Sequence, residues 1–237
     1  MAIDAALPAR CLISDELVGQ KGQIAPAAWG RVHFIEKPVC ACCGVPLPFD
    51  PGAGIVCVGC AARTPAYDCA RAAFIYNDAS RRMILNYKHG GRMDGIAAYA
   101  KWMARAGEDV LDMSDLIVPV PLHYTRLVRR RFNQSAILAQ RLGSLIGKTA
   151  AVDLLKRDRR TPSQFGKNWR DRRRNVAGVF SVRPRWRTRV QGAGVVLIDD
   201  VLTTGATVEA CAKVLKACGA RAVCVLTLAR VHSNRDS

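Results

Sequence analysis

Two textures divide the chain. From Arg71 onward, short apolar runs alternate with stretches of helical spacing, the pattern of a parallel sheet built from strand–helix units. Residues 72–76 read as a strand, and Asn77 or Asp78 can cap a helix running to about Lys88; Gly90 and Gly91 separate it from a second helix over 96–106. Residues 115–121 read as a buried strand ended by proline, Asn133 can cap a helix over 134–146, and a further short apolar run spans 150–155. Residues 195–198 are four consecutive apolar positions. Beyond them 205–217 has helical spacing with Val208, Cys211, Ala212 and Leu215 on one face, and 222–228 is again strand-like.

The first 70 residues follow neither period. Gly19, Gly22, Pro26 and Gly30 interrupt residues 1–39, which cannot own a core and are expected to pack on something else, with Trp29 and Phe34 as the apolar handles. Residues 40–62 are rich in Gly, Pro and Cys and need a staple to be ordered. The pattern predicts three parts: an N-terminal segment over 1–39, a small cysteine module over 40–65, and an α/β domain over 66–237.

Composition fits that division, because 237 residues with 50% hydrophobic content suit one ordinary α/β domain plus a small module. No run of about 18 apolar residues occurs and the N-terminus lacks the basic and apolar stretches of a secretory signal, so no membrane insertion and a cytoplasmic address are expected. The net charge of +17 predicts attraction to phosphates, polyanions or acidic surfaces. It is concentrated: residues 156–189 hold thirteen Lys or Arg against Asp158 and Asp171, and Arg126, Arg129, Arg130 and Arg131 form a second cluster.

Ten cysteines without an export signal favour metal ligands and core thiols over disulfides. Cys40-x-x-Cys43 and Cys57-x-x-Cys60 are two metal knuckles whose spacing lets four thiolates meet tetrahedrally around Zn²⁺. In a stretch with so little core, metal accounts for order better than packing does. Cys42 is surplus, a spare thiol or an alternative ligand. Cys211, Cys218 and Cys224 fall in the periodic region, where small apolar residues belong.

The sharpest local pattern is VVLIDDVLTTGAT over 195–207. A buried strand delivers Asp199 and Asp200 at its carboxyl end, where ligands bind in open α/β sheets. Thr203, Thr204, Gly205, Ala206 and Thr207 then form a small hydroxyl-rich turn into a helix, whose amides and positive end suit a phosphate.

This stretch resembles, over its whole length, the phosphoribosyl pyrophosphate (PRPP) motif of type I phosphoribosyltransferases. The resemblance implies that the acids bind the ribose 2′ and 3′ hydroxyls, that the turn from Thr203 to Thr207 holds the 5′-phosphate, and that Mg²⁺ accompanies the pyrophosphate. Purine-salvage relatives commonly carry an acid where this chain has Thr203, which counts against ordinary hypoxanthine or guanine salvage. NYKHGGR (86–92), VPVPLHYTRLVRRRFNQS (118–135) and TPSQFGKNWRDRRRNVAGVF (161–180) further resemble signatures of the ComF family.

That resemblance implies a type I phosphoribosyltransferase fold, a parallel sheet flanked by helices, preceded by a small zinc ribbon, in a protein linked to DNA uptake. Pentosyl transfer to an unidentified acceptor is the implied activity, and a PRPP-sensing or single-stranded-DNA-binding module without catalysis is the alternative. ComF-like proteins often have a second ribbon upstream. Here Cys11-x-x-Ser14 and Ala25-x-x-Ala28 match its spacing with three ligand positions replaced, so one structural Zn²⁺ per chain is expected.

Several cations are candidates for the pyrophosphate or a covering loop: Lys88, Arg92, Arg126, Arg131 and Arg172, with Gln164 beside them. The basic stretch containing Lys167, Trp169, Arg170, Arg173 and Arg174 supports either the loop or a grip on single-stranded nucleic acid through phosphate contacts and base stacking. Expected partners are therefore PRPP, single-stranded DNA or another nucleic acid, and proteins of the DNA-uptake machinery.

Overall fold

A computed structural model describes residues 8–14, 16–50, 52–89, 93–122, 132–159 and 178–232. Four parallel strands form its centre, β1 Cys69–Ile75, β2 Leu116–Pro119, β5 Gly194–Leu202 and β6 Ala222–Arg230, in the order β1-β6-β5-β2. The long central pair β5 and β6 is buried on both faces, which is why these runs are continuously apolar rather than alternating.

Strand alternation sorts the core into two layers. Val196, Ile198, Leu226 and Leu228 face α3 (Asp78–His89), α4 (Ile96–Ala106) and α6 (Gln134–Ile146), while Val195, Leu197, Val223 and Val225 face α8 (Ala206–Ala217). Asn77 caps α3 reciprocally with Ser80: the Ser80 N–H donates to Asn77 Oδ1 at 2.9 Å and the Asn77 N–H to Ser80 Oγ at 2.8 Å. Asn133 caps α6, accepting from the Ser135 N–H at 3.1 Å.

Expected elements therefore appear with shifted ends. The first strand begins at Cys69, because Ala70 and Arg71 already pair with Val225 and Leu226 of β6. Several short pieces carried no readable period: the helices α1 (Pro26–Trp29), α2 (Val58–Ala62), α5 (Glu108–Asp112) and α7 (Arg187–Val190), and a two-stranded antiparallel ribbon of β3 (Leu155–Arg157) with β4 (Phe180–Val182). Three residues are too few to display a strand's alternation, and four or five too few for a helix's.

The N-terminal segment packs where the aromatic residues predict. Residues 33–35 run antiparallel to β1, with the Ile35 N–H donating to the Ala73 carbonyl at 2.9 Å and the Ile75 N–H to the His33 carbonyl at 2.8 Å. Phe34 meets Trp29 and Trp102 with ring centroids 5.4 Å apart in each case, and Phe74 at 6.1 Å. The cysteine module lies on the opposite layer, in one buried cluster with α8.

The expectation of reduced core thiols fails at one pair. Cys69 and Cys224 are register partners on adjacent strands, with Cα atoms 4.7 Å apart, and are joined by a disulfide. Sequence separation of 155 residues hid their adjacency.

Candidate functional site

β2 ends at Pro119, opposite Ile198, while β5 continues alongside β6 to Leu202. Asp199 and Asp200 thus lie inside the strand rather than beyond its end, on the stretch that has lost its β2 neighbour. That stretch borders the crevice at the carboxyl end of the sheet.

The two acids hold different partners. Asp199 Oδ1 accepts from Ser135 Oγ at 3.0 Å and from the Asp200 N–H at 2.9 Å. Although Asp199 retains some exposure, burial is the main cause that pushes its carboxyl up to about 7, with Asp200 adding to the shift and Lys88 and the two hydrogen bonds opposing it. Asp200 pairs with Lys88 Nζ at 2.9 Å. The end of α3 is fixed in turn by α6: Gln134 Nε2 donates to the Lys88 carbonyl at 3.0 Å, and the Tyr87 hydroxyl donates to the Gln134 carbonyl at 2.7 Å. Burial, followed by Asp200, pushes the Tyr87 phenol above its usual range, so it remains a donor.

Beyond Leu202 the chain turns into α8. Gly205 has φ 73°, a left-handed conformation that disfavours side chains, and no side chain caps the helix. The first-turn amides lack intrahelical partners by geometry, so this mouth is a ready anion site. Asp199 and the turn from Thr203 to Val208 line a cleft of about 30 Å³, room for about one water.

Arg63, Tyr67 and Glu209 lie beside this mouth and carried no sequence signal of doing so, apart from the oddity of an acid in the first turn of an anion-binding helix. Glu209 is buried and pairs with Arg63. A Cβ placed on Gly205 would lie 3.7 Å from Glu209 Oε1 and 3.9 Å from the Tyr67 hydroxyl. Ser135 also reaches the acids, and its tie to Asp199 crosses 64 residues, beyond any local spacing.

The metal centre is compact. Cys40, Cys43, Cys57 and Cys60 are all buried with their Sγ atoms within 4.8 Å of one another. Cys43 and Cys57 approach to 3.7 Å, close to the separation of about 3.8 Å for thiolates on a tetrahedral zinc. Backbone N–H groups of Cys43 and Cys57 donate to Cys40 Sγ at 3.4 and 3.2 Å, which stabilises a thiolate there. The donor set and spacing fit structural zinc, which would contribute much of the module's folding energy. Cys42 is buried beside the four but is not among the sulfurs that all lie within 4.8 Å of one another, and burial raises its thiol pKa.

The upstream segment repeats the same scaffold. Cys11 Sγ accepts from the Ser14 and Ala25 N–H groups at 3.4 and 3.2 Å, as Cys40 Sγ does from Cys43 and Cys57. An antiparallel bridge Arg10–Leu17 answers Val39–Pro46. Ser14, Ala25 and Ala28 occupy the positions of the remaining thiolates.

Of the expected cations, Lys88 alone falls among the described residues, and it lies on Asp200. Arg92, Arg126, Arg129, Arg130, Arg131, Gln164, Lys167, Trp169, Arg170, Arg172, Arg173 and Arg174 lie outside them. The base of the 156–189 stretch is described: Arg157 stacks on Phe180, Arg189 on Trp186, and Arg183 and Arg185 pair with Asp153. Among the described residues no helix is long and apolar enough to cross a membrane.

Comparison with known proteins agrees with both halves. A double zinc ribbon domain model matches residues 2–61 and a phosphoribosyl transferase domain model matches residues 119–237. The DNA utilization protein YhgH of Salmonella typhimurium is 32% identical over 219 residues, covering 87% of this chain and 93% of that protein. Competence protein F of Haemophilus influenzae is 28% identical over 216 residues, covering 85% and 94%, and competence protein ComFC of Bacillus subtilis is 28% identical over 192 residues, covering 78% and 74%. Paired carboxylates beside an uncapped helix mouth, a four-cysteine cluster with a vestigial twin, and relatives matched over most of their length together place the chain in the ComF family, the competence and DNA-utilisation proteins that join a double zinc ribbon to a phosphoribosyltransferase domain.

Proposed function

We propose that the chain binds PRPP at the crevice beside β5, with Asp199 and Asp200 on the ribose diol and the turn from Thr203 to Thr207 on the 5′-phosphate. The observation that carries this reading is the placement of two adjacent carboxylates next to an uncapped helix mouth opened by a left-handed glycine. An acid pair suits a diol, which donates two hydrogen bonds; free amides suit a phosphate monoester. Lys88 pairs with Asp200, which places an ammonium beside the acids, where it can serve the pyrophosphate.

Phosphoribosyl transfer to an acceptor is the activity this arrangement serves. The bond from C1′ to pyrophosphate breaks as the acceptor approaches, and the protein's part is orientation and charge stabilisation. Mg²⁺ would neutralise pyrophosphate oxygens, and Asp199 and Asp200 would share in holding it. Thr203 offers no base, which counts against hypoxanthine or guanine as acceptor and is compatible with one already nucleophilic, such as an amine.

One structural zinc per chain is held at Cys40, Cys43, Cys57 and Cys60, and the Cys11 ribbon is metal-free because serine and alanine replace its thiolates. The protein acts in the cytoplasm, in handling DNA. A second reading, a single-strand-binding or PRPP-sensing module without turnover, draws support from the charge in 156–189 and from the DNA-utilisation and competence names of the relatives.

Calorimetric titration with PRPP and Mg²⁺ tests the site. Binding by the unaltered chain, lost in Asp199→Asn/Asp200→Asn with zinc content unchanged, is the expected result; equal binding by both removes the reading. Exchange of labelled pyrophosphate into PRPP separates transfer from sensing.

A further inference from the structure

We propose that Arg63, carried by the zinc ribbon, is a positioning residue for the phosphate turn: it neutralises Glu209 and so makes phosphate-monoester binding at Thr203–Thr207 depend on the loaded ribbon. The inference rests on the phosphosugar reading of that turn.

Glu209 stands in the first turn of α8, the turn whose amides are offered to the anion. An acid there normally stabilises a helix, but next to a phosphate it repels the ligand. Glu209 is 5% exposed, and its carboxylate comes within 3.7 Å of where a Cβ on Gly205 would be. Water can screen so enclosed a charge only weakly. The Arg63 guanidinium pairs with it directly, through Nη2 and Oε2. A cation at this point lets the mouth keep its positive potential.

Arg63 owes its position to the cysteines. It follows the five-residue helix α2, whose N-cap is Cys57 and whose third residue is Cys60, and its N–H donates to the Gly59 carbonyl at 3.1 Å. A helix this short cannot hold itself in water. With both cysteines on a metal, the direction of α2 and the departure point of Arg63 are set.

The segment that follows α2 clamps α8 and its mouth. Tyr67 is 5% exposed and packs against Gly205; Asp68 pairs with Lys216 of α8 at 2.6 Å and accepts from the Val223 N–H at 2.7 Å. The ribbon's other knuckle is tied to the sheet, since Arg230 Nη1 donates to the Cys43 carbonyl at 2.6 Å and the Ala70 N–H to the Cys42 carbonyl at 2.7 Å. Gly44 permits that approach: a Cβ there would strike the Ala70 carbonyl oxygen at 2.3 Å.

The test is calorimetric titration of the full chain with ribose 5-phosphate, and separately with PRPP and Mg²⁺, alongside zinc content and melting temperature. Arg63→Gln should bind roughly tenfold more weakly, the order expected for one unbalanced enclosed charge, while Arg63→Lys retains most of the affinity. Glu209→Gln should bind at least as tightly as the unaltered chain, and Arg63→Gln/Glu209→Gln should recover the loss. Zinc-free protein should resemble Arg63→Gln.

Equal affinity in Arg63→Gln, weak binding by Glu209→Gln, or a double variant as weak as Arg63→Gln overturns the proposal while leaving the phosphosugar site standing. Unchanged affinity in zinc-free protein overturns the metal's part in it. No binding by the unaltered chain overturns the site reading and this inference together.

Discussion

Ser135 Oγ donates to Asp199 Oδ1 across 3.0 Å, joining the mouth of α6 to the carboxylate on β5. The hydroxyl favours the ionised carboxyl, against the burial that favours the protonated one. Affinity for ribose 5-phosphate should therefore rise with pH as Asp199 ionises, with the midpoint of the rise near 7. Ser135→Ala should move the midpoint of a pH titration of affinity upward, and an unmoved midpoint would separate Ser135 from the site.

The same group makes stability depend on pH. Its folded pKa lies above its unfolded value, so between the two the native state holds more protons, and stability falls as pH rises from about 4 to about 7. Asp199→Asn should flatten that decline in denaturant midpoints measured across the window. A decline of equal size in the variant would assign it elsewhere.

Lys88 and Asp200 form the second link, at 2.9 Å. If the ammonium turns to the pyrophosphate on binding, Lys88→Met should lose roughly tenfold in affinity for PRPP and much less for ribose 5-phosphate. Equal losses for both ligands would leave Lys88 as a counter-ion alone.

Metal analysis should return one zinc per chain. Cys40→Ser should lose it and destabilise the ribbon, since such sites contribute on the order of 10 kcal/mol, whereas Cys42→Ser should retain it. A ratio of two zincs per chain would mean that the Cys11 scaffold still binds metal.

Phe34 sits between Trp29, Phe74 and Trp102. Phe34→Ala should cost about 2 to 3 kcal/mol in chemical denaturation and expose residues 16–39 to protease. Undiminished protection would show that the backbone pairing with β1 suffices.

Reversing Lys167, Arg170, Arg173 and Arg174 to glutamate should weaken binding to single-stranded DNA and flatten its salt dependence by about 0.7 in log–log slope for each phosphate no longer neutralised. An unchanged slope would place the DNA-binding surface elsewhere on the protein.

Elements with a strong local period were legible in the amino-acid order: α4 is found at 96–106 and α6 at 134–146, and the apolar core of β5 follows its apolar run. The cysteine spacing also sufficed to bring four thiols together, because two short knuckles close locally. Strand ends were less legible. Where β1 begins and how far β5 runs past Asp199 depend on the neighbour each meets, and that neighbour is distant in the chain.

The chain's order by itself determined its α/β character, its cysteine knuckles and the acid pair followed by an anion turn, since each depends on neighbours a few residues apart. Only the tertiary structure decided that Ser135 and Lys88 hold those acids, that Cys69 meets Cys224, and that Arg63 stands against Glu209 across 146 residues. Such contacts arise from how layers stack on a sheet. Packing selects them by shape and charge, and no local spacing encodes them.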